Sequence, residues 1–133
     1  LKPFEANAVY LCTMRIEIDI NPMGAVRTTQ KGKYTDERYH KYARYKTAVM
    51  MFLRGFGVRE CPESFRIQFV MPFPISYTQK QCRELEGSPH RYKPDIDNMV
   101  KGFMDCFGKD DSGVHTIQAQ KVWGYDGKII LEF

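Results

Sequence analysis

Apolar residues recur along this chain with two different periods. From Leu11 to Ile20 they alternate, with Met14, Ile16, Ile18 and Ile20 on one side and Arg15, Glu17 and Asp19 on the other. A period of two with one polar face predicts a half-buried strand. Asn21-Pro22-Met23-Gly24 breaks the pattern, and residues 25–35 read as an exposed basic loop. Thr35 or Asp36 is placed to cap a helix running to about Arg54. Its apolar side carries Tyr39, Tyr42, Ala43, Val49, Met50, Leu53 and the stem of Lys46, and Gly55 and Gly57 end it. Phe65, Ile67, Phe69 and Met71 alternate with Arg66, Gln68 and Val70 in a second strand, closed by Pro72 and Pro74. Residues 72–93 form a long polar, basic connection of the kind that is either functional or disordered. The clearest helical period follows: Ile96, Met99, Val100, Phe103, Met104 and Phe107, with Gly108 as the stop. Val114 to Tyr125 and Lys128 to Phe133 flank Asp126-Gly127, which predicts a hairpin with a type I′ turn.

The resulting order is β-α-β-α-β-β. It predicts an α+β fold in which two main helices pack against a mixed four-stranded sheet. A chain of 133 residues fits one domain, residues 1–133, with no repeat, low-complexity tract or linker to divide it. The chain opens on Leu1, so an initiator or short leader is expected to be missing. The apolar share (43%) and charged share (27%) are those of a globular protein in water. No apolar run approaches a membrane span, and no secretory signal is visible. Cys12, Cys61, Cys82 and Cys106 are scattered without zinc-ligand spacing, as expected of free thiols in a cytoplasmic protein.

Charge changes the picture more than composition does. The net charge is +4, yet residues 27–46 hold seven basic side chains against two acidic ones. Residues 94–133 hold four basic against seven acidic. A basic half beside a carboxylate-rich half suits binding of a phosphate backbone next to a metal centre. Incidental lysines on a solvated helix face are the plainer reading of such a stretch.

The acidic residues gather in two places. Lys93-Pro94-Asp95-Ile96-Asp97-Asn98 immediately precedes the second helix, and Asp110-Asp111 follows it across a short turn. Asp95 and Asp97, two apart, share one side of an extended backbone at a helix N-terminus, where negative charge is favoured. A few such carboxylates suit a hard divalent metal, which makes water nucleophilic and neutralises a phosphoryl group. Lys101, four residues after Asp97, either pairs with it or reaches a phosphate oxygen. Plainer roles exist for each residue: Asp95 or Asp97 as a helix cap, Asp97–Lys101 as a surface pair, and Asp110-Asp111-Ser112-Gly113 as turn chemistry. Asp105 reads as structural or solvated. His40, His90 and His115 form no metal-binding spacing, and no P-loop, dinucleotide fingerprint or Ser-His-Asp order is present. Tyr39, Tyr42 and Tyr45 are candidates for stacking on unpaired bases, although the first two fit a core face better.

The segment Lys93 to Lys101, followed by Asp105 and Asp110-Asp111-Ser112, resembles the RusA family of Holliday junction resolvases, which carries D-x-D-N-x-x-K and a later D-D pair. The basic stretch Pro22 to Thr35, with Arg27, Lys31 and Lys33, stands where that family has its arginine-containing loop. The resemblance implies a small, homodimeric, Mg2+-dependent endodeoxyribonuclease, with Mn2+ as a substitute, that makes paired nicks across four-way DNA junctions. By position it implies Asp95, Asp97 and Asp111 as catalytic metal ligands, Asp110 as the alternative of its pair, and Lys101 as the catalytic lysine. Arg27, Lys31, Lys33, Arg38, Lys41, Arg91 and Lys93 are the expected DNA contacts. No organic cofactor and no membrane enter this reading, and the setting it implies is a bacterial or prophage-carrying cytoplasm. Two departures stand out. The family's arginine run before the first aspartate is reduced to Arg91 and Lys93, and the 72–93 connection is long. The alternatives are a nuclease of flaps or forks, a non-catalytic DNA-binding protein on the same scaffold, or a plain interaction domain.

Overall fold

The computed structural model describes residues 14–29, 31–108 and 110–133. The elements are β1 (Arg15–Ile18), a helical turn α1 (Gly32–Thr35), α2 (Glu37–Gly55), β2 (Ser64–Pro72), α3 (Gln79–Leu85), α4 (Ile96–Asp105), β3 (Thr116–Gly124) and β4 (Lys128–Glu132). They form a four-stranded mixed sheet in the order β1-β4-β2-β3 with helices packed against it, so the α+β expectation holds. Residues 11–13 of the expected first strand, Cys12 among them, lie outside the described residues.

Strand parity decides which face is covered. Ile16, Ile18, Phe65, Ile67, Phe69, Met71, Ile129 and Leu131 are all buried on one face. Onto it pack Tyr42, Tyr45, Val49, Met50 and Leu53 of α2 and Met99 and Phe103 of α4. Phe103 meets Phe65 with ring centroids 5.6 Å apart. The other phase of β2 carries Arg66 and Gln68, with the Gln68 side chain bonded to Gln120 on β3 at 2.7 Å. Asp36, not Thr35, caps α2 by accepting from the Arg38 amide at 2.9 Å. Tyr45 takes the core place expected for Tyr39. Lys46 lays its ammonium over the Tyr42 ring, 4.6 Å from the centroid. Burial of Tyr42 and Tyr45 takes both out of reach of stacking bases.

Two expectations are overturned. Residues 125–127 do not close a hairpin, because β3 pairs in parallel with β2 while β4 pairs antiparallel on its other side. Neither Asp126 nor Gly127 has a positive φ, which a type I′ turn requires at both positions. Strands two places apart are separated by roughly 10 Å, which a three-residue link spans easily. β2, with Phe65, Ile67, Phe69, Val70 and Met71 all buried, takes the centre, and the glutamine-bearing β3 takes the edge. The 72–93 connection is not a plain loop either. Thr78 and Gln81 form a reciprocal capping box that starts α3, which buries Cys82 and packs along β3.

Beyond α3 the chain is stitched to the outer edge of β3. Gly87 donates to Trp123 O, Trp123 to Ser88 O, and His90 to Lys121 O, at 2.9–3.0 Å. His90 is buried edge-on against Trp123, centroids 4.4 Å apart. Burial, assisted by the Lys121 charge, lowers its basicity. The thiols of Cys61 and Cys106 are free, and burial pushes them up to about 11 and about 12, so both stay protonated. Phe103→Ala should cost about 3–5 kcal/mol by opening a cavity between α4 and β2. That loss is read as a lower urea midpoint at unchanged slope.

Candidate active site

Asp95 stands at the N-cap position of α4 in extended geometry, yet its side chain makes no capping bond. Its carboxylate pairs instead with Lys93 Nζ at 3.0 Å. Asp97 lies on the first turn of α4, exposed, with no side-chain partner among the described residues. The capping explanation therefore fails for Asp95, and both carboxylates face an open pocket lined also by Arg91, Tyr92, Lys93, Ile96 and Lys121. The positive end of the helix dipole lies beneath them.

Two polar side chains hold this pocket in place. Lys121 Nζ donates to the carbonyls of Tyr92 and Pro94, each at 2.6 Å. Asn98 binds the first loop: its side-chain amide donates to Ala25 O at 3.1 Å, and its carbonyl accepts from Ala25 N at 3.1 Å. The loop backbone lies directly on α4. A Cβ on Gly24 would stand 2.6 Å from Asn98 Nδ2, and one on Gly102 would stand 3.1 Å from Met23 O. Neither Lys121 nor Asn98 was singled out by spacing. Lys121 did leave a signal, since it interrupts the apolar phase Ile117, Ala119, Trp123 of its strand.

The remaining members of the expected set make other contacts. Lys101 does not pair with Asp97; its ammonium meets Asp105 Oδ1 at 3.0 Å. Asp105 Oδ2 accepts from Tyr42 OH at 2.8 Å, and burial together with that bond raises the Tyr42 hydroxyl far above its ordinary range. Asp110 accepts from the amide and hydroxyl of Ser112, both at 3.0 Å, which is turn chemistry. Asp111 lines a second cavity, of about 230 Å³, with Glu60, Cys61, Glu63, Asp110 and others. Asp95 and Asp97 line one pocket and Asp111 lines another. Among the described residues no three acidic, histidine or cysteine side chains are grouped to hold a metal. The Asp95–Asp97 pair does suit Mg2+, which commonly takes one or two carboxylates and completes its shell with water and phosphate oxygens.

Over residues 17–132 the chain matches the family model described as Endodeoxyribonuclease RusA. The chain belongs to the RusA endodeoxyribonuclease family. No curated protein and no solved structure gives a match. The match makes it a hydrolase of phosphodiester bonds in a family that acts on Holliday junctions.

The basic residues expected to contact DNA lie in several places. Arg91 and Lys93 are exposed on the rim of the acidic pocket. Arg38 and Lys41 of α2 line the adjoining pocket with Gly24, Val26, Pro94 and Asn98. Arg38 is held by Asp36 at 3.1 Å, whereas Lys41 is exposed with no partner among the described residues. Arg27 is exposed two residues beyond Ala25, the residue Asn98 holds, and Lys31 is exposed just before α1. Lys33 belongs to α1, and its side chain lies outside the described ones. No helix among the described residues is long and apolar enough to cross a membrane. The His115 ring meets the hydroxyl of its neighbour Thr116 at 2.9 Å, and its amide donates to Glu63 O at 2.9 Å. Asn98→Ala should free the loop at Ala25 and cost about 1–2 kcal/mol. Faster amide exchange confined to residues 23–27 checks this, and unchanged exchange there contradicts it.

Proposed function

We propose that the protein is a Mg2+-dependent, structure-selective endonuclease that resolves four-way DNA junctions as a homodimer, by paired nicks. The observation that carries this reading is the pair Asp95 and Asp97, unused by the helix they begin and ringed by Arg91, Lys93 and Lys121. A bound Mg2+ supplies charge neutralisation at the scissile phosphate and a more acidic water. Asp95 and Asp97 hold it; Arg91 and Lys93 draw the backbone in, and Arg27, Lys41 and their neighbours extend the track. Mn2+ has the same preference for oxygen donors and serves as a substitute.

Asp111 and Lys101 belong to the proposed set by their match to the family pattern. A homodimer offers two active sites related by a two-fold axis. The same symmetry suits a four-way junction, which needs two related cuts. A bacterial or phage-infected cytoplasm is the setting that goes with this activity.

With a labelled synthetic junction and Mg2+, symmetric nicks are expected, and Asp97→Asn should slow them on the order of a hundredfold or more. Junction binding should survive, since removing a negative charge does not weaken phosphate contacts. Preferential cutting of a flap or fork keeps the chemistry and changes the substrate. Binding with no cutting in either metal contradicts the nuclease reading. Replacing Arg27 and Lys41 by alanine should weaken binding uniformly across DNA sequences. It should also flatten the salt dependence by about 0.9 in log–log slope per lost phosphate contact. Unchanged affinity at low salt removes those residues from the DNA surface.

A further inference from the structure

Lys121 occupies a position where its strand calls for an apolar residue. In the parallel register of β2 and β3, Phe65 stands beside Ile117, Phe69 beside Lys121 and Met71 beside Trp123. Adjacent residues of a parallel pair point to the same face, so Lys121 projects onto the helix-covered side of the sheet, between Ala119 and Trp123. A half-buried ammonium there is tolerated only if its donors are satisfied. It meets two carbonyls, those of Tyr92 and Pro94, and the second belongs to the residue immediately before Asp95.

These bonds complete a larger attachment. The backbone of residues 87–90 is already stitched to the edge of β3, with an isolated bridge between Pro89 and Val122. Past His90 no further backbone bond ties residues 91–94 to that strand among the described residues. The Lys121 side chain takes over there, reaching around to hold the strap until α4 begins. It also lines the pocket shared by Asp95 and Asp97.

We propose that Lys121 is a positioning residue of the active site: it fixes the Arg91–Asp95 strap, and thereby the direction in which Asp95 and Asp97 present their carboxylates. A neutral apolar residue would satisfy the core phase of β3 equally well, but would leave two strap carbonyls without donors and the acidic pocket without its inner cation. The inference rests on the nuclease reading above for its kinetic consequence, but not for its structural one.

The test compares Lys121→Met and Lys121→Arg with the wild type by amide hydrogen exchange and by junction cleavage. In Lys121→Met, exchange should rise across residues 91–99 and stay at wild-type rates in β2 and α2. Its kcat on a four-way junction should fall by about tenfold or more, as for loss of a partner that orients a metal ligand. Junction affinity without metal should stay within about threefold, which separates positioning from binding. Lys121→Arg, which keeps charge and donors, should restore both exchange and most of the rate. Unchanged exchange over 91–99 in the methionine variant overturns the proposal. Equal losses of rate, affinity and melting temperature that arginine does not rescue overturn it too, because the lysine is then only structural. If Lys121→Met does not fold, Lys121→Gln takes its place under the same criteria. A wild type that cuts no junction defeats the nuclease reading, while the exchange comparison still decides whether Lys121 holds the strap.

Discussion

Everything at the candidate site depends on the burial of one stripe of α4. Met99 and Phe103 are fully buried, and Phe103 rests on Phe65 in the central strand. With that stripe committed to the core, the helix can neither rotate nor slide without exposing it. Asp97 and Lys101 are therefore directed outward, and the first turn of α4 is tied to β3 through Lys121 and the Pro94 carbonyl. The acidic pair and the Lys101–Asp105–Tyr42 chain of contacts are two consequences of the same packing, one toward the start of the helix and one toward its end.

Charge is arranged around that frame so that cations outnumber carboxylates about the start of α4. Arg91, Lys93 and Lys121 share a pocket with Asp95 and Asp97, and Arg38 and Lys41 stand in the adjoining one. A metal between the aspartates would shift the balance further toward a polyanion. At the other end of α4 the sign is reversed, with Glu60, Glu63, Asp110 and Asp111 around one cavity. The two ends of α4 thus carry fields of opposite sign.

The sequence by itself determined the elements whose period is strong. The alternation around Ile16 and Phe65 and the i, i+3, i+4 stripe through Met99 and Phe103 each became the expected element, because side-chain periodicity acts locally. The motif from Asp95 to Lys101 was legible for the same reason, and the family match spans it. α3 escaped notice because its signal was a short capping box inside a polar stretch, with only one buried residue, Cys82, to give it a face.

Tertiary structure alone decided who stands beside whom. Asp126-Gly127 has the composition of a hairpin turn, yet β2 entered between the two strands because its residues demanded burial more than the local turn demanded closure. The family pattern grouped Asp111 with Asp95 and Asp97, whereas in the fold the pair lines one pocket and Asp111 another. Lys121 was an ordinary strand lysine until the parallel register turned it inward onto the strap before Asp95. Local chemistry is written in residue order, whereas the meeting of distant side chains depends on which apolar surfaces win the centre of the fold.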